Sequence, residues 1–65
     1  MESRADKAWR AAAECARLAR ESDRSEERDF YLRTRDAWIT VANRCEFLES
    51  LERDSSLTLA HHAAT

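Results

Sequence analysis

Sixty-five residues make one domain at most, and a chain this short buries only about 60% of the surface its unfolded form exposes. Glycine and proline are both absent, which removes the commonest turn formers and leaves strong helix formers in the majority. With 37% charged residues and a net charge of only −2, acids and bases nearly cancel, so neither nucleic acid nor an anionic membrane is an expected partner.

These figures predict an all-α protein of marginal stability. Small domains make up that shortfall with disulfides, a structural metal or oligomerisation. The bases are ten arginines and the single Lys7, a bias that fits a high-GC bacterial genome and has no functional weight. The first residues, MESRADKAW, hold no apolar run long enough for a signal-peptide core. Nothing approaches the ~18 apolar residues of a membrane span, so the cytoplasm is the expected location.

The first helix is predicted over about 3–22. Ala5, Ala8, Trp9, Ala12, Cys15, Ala16 and Ala19 recur at three- and four-residue steps and share one face. Asp6, Arg10, Glu14, Arg17 and Glu21 fill the other, with opposite charges four apart, as on a solvated face. The break is predicted at 22–25, where Ser22, Asp23 and Ser25 offer capping oxygens and Glu26 follows Asp23 by three, as in a capping box. So short a turn implies an antiparallel hairpin.

The second helix is predicted over about 26–54, about 42 Å long against about 30 Å for the first. Its main face holds Phe30, Tyr31, Thr34, Ala37, Trp38, Val41, Cys45 and Leu48, and Leu32, Ile39 and Phe47 lie on nearly the opposite side. Residues 55–65 are expected to form a weakly ordered tail. Aligning the helices across a turn centred near residue 24 sets Trp9 against Trp38, Leu18 against Phe30 and Ala16 against Tyr31, small against large. The two tryptophans are then expected to dominate the core. Beyond about Leu48 the first helix has run out, so Leu48 and Leu51 overhang.

A long helix with apolar residues on two sides needs two neighbours. The hairpin is therefore expected to be a homodimer forming a four-helix bundle, with Leu32, Ile39, Phe47, Leu48 and Leu51 at the interface. The competing reading is an accessory or regulatory subunit that docks on a larger enzyme or a transcription regulator.

Catalysis and cofactors find little support. Cys15 lies level with about residue 33, ~18 Å along the axis from Cys45, too far for a disulfide within one hairpin. Both read as small core hydrophobes, with an intersubunit bond the remaining alternative. His61 and His62 fall in the tail, away from any cysteine nucleophile. Glu46, Glu49 and Glu52 stand at three-residue steps without the histidine a di-iron bundle uses, so no metal or other cofactor is expected. Arg24, Arg28, Arg33 and Arg35 are offset by Asp23, Glu26, Glu27, Asp29 and Asp36, which weakens any claim on phosphate.

The segments AAECARLARES and RDFYLRTRDAWITVANRCEFLE together resemble a group of short uncharacterised helical-hairpin proteins of alphaproteobacteria. Their first helix carries Ala-Glu-Cys-x-x-Leu-Ala, matched here at Ala13–Ala19. Their second carries an aromatic-leucine pair followed by tryptophan, similar to Tyr31, Leu32 and Trp38. The match covers roughly residues 9–50. It implies the hairpin and brings no activity, cofactor or catalytic residue with it.

Overall fold

A computed structural model of the chain describes the backbone of residues 2–63 and the side chains of residues 2–54. Two helices, α1 (Arg4–Glu21) and α2 (Ser25–Ala63), pack extensively on each other, and no strand occurs among the described residues. The fold is an all-α hairpin. Contacts from Arg4 to Glu52 and from Trp9 to Glu46 show that the helices run antiparallel. The molecule measures 62 × 20 × 9 Å, a flat pair of rods whose length is set by the 39 residues of α2.

A capping box starts α1. The Asp6 amide donates to Ser3 Oγ at 3.0 Å, and the Ser3 amide donates to Asp6 Oδ2 at 3.4 Å, so two amides that lack helical partners are satisfied. Ser3→Ala is expected to cost about 1 kcal/mol. The thermal midpoint, followed by far-ultraviolet dichroism, should fall by about 4–8 °C. An unchanged midpoint would mean that this end of α1 frays anyway.

The helix ends at Ser22, whose backbone is extended at φ −76° and ψ 130°. Its hydroxyl donates to the Leu18 carbonyl at 2.9 Å and its amide to the Ala19 carbonyl at 3.3 Å. No described residue has positive φ, so the turn closes without the left-handed residue that glycine usually supplies. Arg28 N then bonds Arg24 O at 3.0 Å, which makes Arg24 the residue flanking the start of α2. The predicted Asp23/Glu26 box is not among the hydrogen bonds of the turn; the serine-acid box sits at Ser3 and Asp6 instead.

The core is a seam of small residues. Ala5, Ala8, Ala12, Cys15 and Ala19 of α1 are buried at alternating three- and four-residue steps, and Ala42 of α2 is completely covered. This is coiled-coil spacing with alanine as the usual knob, and alanine allows the two backbones to approach closely. Among the described residues no larger apolar side chain is fully buried.

The tryptophan layer predicted for the core does not form. Trp9 is 37% exposed and Trp38 40% exposed, and the Trp9 indole donates instead to Glu46 Oε1 at 2.7 Å. Glu46 lies eight positions further along α2 than Trp38. The reason is the lean of helical side chains toward their own N-terminus. In an antiparallel hairpin, α1 side chains lean away from the turn and α2 side chains lean toward it. An α1 residue therefore meets one further along α2 than level counting gives, and long side chains enlarge the offset. By the same displacement the exposed Arg4 side chain reaches Glu52 at 3.4 Å. The α2 backbone continues past the predicted boundary at Asp54 to Ala63, and the predicted tail of residues 55–65 has side chains that lie outside the described residues.

On the solvated side of α1, Arg17 pairs with Glu14 and with Glu21, the latter at 2.7 Å. The hydrogen bond from Arg17 holds the Glu14 carboxyl below its ordinary range, against a smaller opposing effect of desolvation. A lowered folded pKa means that this contribution is present above the ordinary carboxylate value and fades as pH falls through the folded one. Dichroism of α1 should therefore lose an increment in acid that Glu14→Gln lacks. Superimposable acid titrations of the two proteins would show that the pair contributes nothing.

Candidate interaction surface

Two apolar seams run along α2, and only one meets α1. The shielded positions are Tyr31, Leu32, Thr34, Arg35, Ile39, Ala42, Cys45, Glu49 and Ser50, of which Ala42 alone is fully buried. Two of these, Arg35 and Glu49, are charged and half-buried, as long side chains are when the stem is covered and the head stays in water. The second seam is Phe30, Thr34, Ala37, Val41, Arg44, Leu48 and Leu51, again at alternating four- and three-residue steps. Phe30 is 58% exposed, and Val41, Leu48 and Leu51 are also exposed.

The second seam gives the flat hairpin unlike sides. Leu18 of α1 and Tyr31 of α2 line one groove near the turn. Ala16 and Ala19 of α1 line another with Leu32 and Arg35, on the other side of the seam. Phe30 meets Tyr31 edge-on, with ring centroids 5.5 Å apart, and so continues the Leu18/Tyr31 side. Trp38, seven residues after Tyr31, shares that side, as do Val41 and Leu48. At its turn end this side is bordered by Glu21, Asp23, Arg24 and Glu27, which line the same groove as Leu18 and Tyr31.

The opposite side is mixed. Arg20, Arg28 and Arg35 border the Leu32 groove, with Arg28 donating to Ser22 O at 3.3 Å and Arg35 to Asp36 Oδ1 at 2.8 Å. Asp29 and Asp36 line the adjoining surface around Leu32 and Arg33. Trp9 lies seven residues before Ala16 and belongs to this side with Glu46.

The five residues predicted for an interface divide accordingly. Leu48 and Leu51 lie on the exposed seam. Phe47 is 62% exposed and sits beside that seam, next to Leu51. Leu32 and Ile39 are half-buried toward α1. Phe30 and Val41, assigned to the hairpin core from their pattern, are on the free side. The signal for them was present in the seven-residue spacings Phe30–Ala37 and Val41–Leu48.

Cys15 is buried, Cys45 half-buried, and both are free. Among the described residues no group of three His, Cys, Asp or Glu side chains gathers as a metal site, and no helix is long and apolar enough to cross a membrane. Set against protein-family models, curated proteins and solved structures, the chain matches none of them. The surface is therefore read from its own residues.

Proposed function

We propose that the chain is a non-enzymatic interaction protein that associates with itself, most simply as a two-fold dimer in which two hairpins complete a four-helix bundle. The observation that carries this reading is the strip of large apolar side chains along the free side of α2: Phe30, Trp38, Val41, Leu48 and Leu51. Isolated exposed leucines are ordinary, whereas several large apolar side chains exposed along one side of a single helix are a packing surface without its neighbour.

Light scattering over a hundredfold concentration range under reducing conditions, with helicity followed in parallel, tests the proposal. A mass near twice 7.5 kDa that persists on dilution is the expected result. A monomer at every concentration overturns it.

A further inference from the structure

We infer that the groove around Leu32 binds a small organic phosphate monoester as its dianion. Arg20, Arg28 and Arg35 hold the phosphate, and the apolar part of the ligand lies over Ala16, Ala19 and Leu32.

Along the chain the arginines of this region are offset by acids, but the fold sorts the two signs apart. Every charged or polar side chain that lines this groove is an arginine. Arg28 and Arg35 stand seven residues apart on α2, two turns or about 10 Å along one face, with Leu32 between them. Arg20 borders the same floor from α1. Asp29 and Asp36 lie with Arg33 around the neighbouring groove, which has only Leu32 in common with this one.

The ion pairs among the described residues leave two of the three charges unanswered. Arg35 is held by Asp36, with both Nε and Nη2 donating to Oδ1. Arg20 and Arg28 are in none of the ion pairs. Arg28 makes one hydrogen bond, from Nη2 to the neutral carbonyl of Ser22 at 3.3 Å. Two like charges that border one space repel each other, and a dianion between them replaces repulsion with attraction. A phosphate monoester is such a dianion above its second pKa of about 6.

Guanidinium groups suit that ligand. Each carries five donors in a planar fork that matches phosphate oxygens, so Arg28 keeps Nε and Nη1 for it, and Arg35 keeps Nη1. The groove measures about 340 Å³, at the lower end of the range for small-molecule sites, so the ligand is small. It lies across the hairpin from Trp38 and Val41, which makes ligand binding independent of self-association.

Phenyl phosphate is the probe, titrated at low ionic strength into the full chain while backbone amides are followed by NMR. Saturable shifts concentrated at Ala16, Ala19 and Leu32 are expected. Arg20→Gln and Arg28→Gln should each weaken binding about tenfold, the loss of one charge-assisted hydrogen bond. Arg10→Gln, on the solvated face of α1, should bind as the parent does, and dichroism checks that all three variants stay helical. Binding should weaken as the pH falls below about 6, where the ligand gains a proton. Shifts that never saturate, or that Arg10→Gln diminishes as much as Arg20→Gln, mean diffuse attraction to a charged surface and overturn the site. Benzoate, with the same ring and one charge, overturns the dianion if it binds as tightly. Inorganic phosphate that binds as tightly overturns the apolar half of the ligand.

Discussion

Ala42→Leu is expected to be the most damaging single substitution for the hairpin. Ala42 has no exposed surface and faces a seam made of Ala5, Ala8, Ala12, Cys15 and Ala19. No small neighbour there can shrink to accept three more carbons, so the helix axes must separate. Overpacking of this kind costs about 1–3 kcal/mol. A chain of 65 residues has roughly 3–10 kcal/mol in total, so the loss is a large fraction. The thermal midpoint should fall by roughly 10 °C or more. It is to be measured at fixed protein concentration, because association also raises the midpoint. Val41→Leu, one residue earlier and on the free seam, is the control and should leave the hairpin intact. Equal melting of Ala42→Leu and the parent would show that close approach of the backbones is not what holds the helices together.

Val41→Asp is the converse experiment. Val41 is 43% exposed in the hairpin, so a carboxylate there keeps its water while the protein is monomeric. In the proposed dimer the same carboxylate is taken out of water against the second copy, with Arg44, three residues further along its own helix, as its one neighbouring base on the seam. Desolvation costs at least about 2 kcal/mol at each of two equivalent sites. Together these should weaken association on the order of a thousandfold. Sedimentation or light scattering should therefore show a monomer that is still helical. A variant with the parent's mass would remove Val41, and the seam it belongs to, from the interface.

The hairpin was legible in the sequence because its signals are local. Three- and four-residue spacing from Ala5 to Ala19, a run of polar capping residues at 22–25, and the lack of glycine or proline within either helix all describe single elements. The choice of which α2 face meets α1 was not legible in the same way. Apolar content favours the face with Phe30, Trp38 and Val41, but α1 presents alanines, and close approach favours a small residue opposite. That residue is Ala42, on a face whose other members include Arg35 and Glu49. Their stems bury while their charges stay wet, a division that a residue-by-residue hydropathy reading does not see. The register failed for a related reason, since level counting treats side chains as perpendicular to the axis when they are not. Of the residues chosen for the free surface, Leu48 and Leu51 stand on the exposed seam because heptad spacing alone defines it. Leu32 and Ile39 were separated from that seam by a packing preference set on the other helix.

The two indoles stand on opposite sides of the flat hairpin, Trp9 bonded to Glu46 on the mixed side and Trp38 on the apolar strip. The chain thus carries two optical probes that answer different questions. With Trp38→Phe, emission from Trp9 reports whether the helices are zipped, because its hydrogen bond to Glu46 exists only in the hairpin. With Trp9→Phe, emission from Trp38 should shift to the blue as concentration rises, since a second copy would take that ring out of water. Folding and assembly, which overlap in any measurement of helicity, are separable by colour.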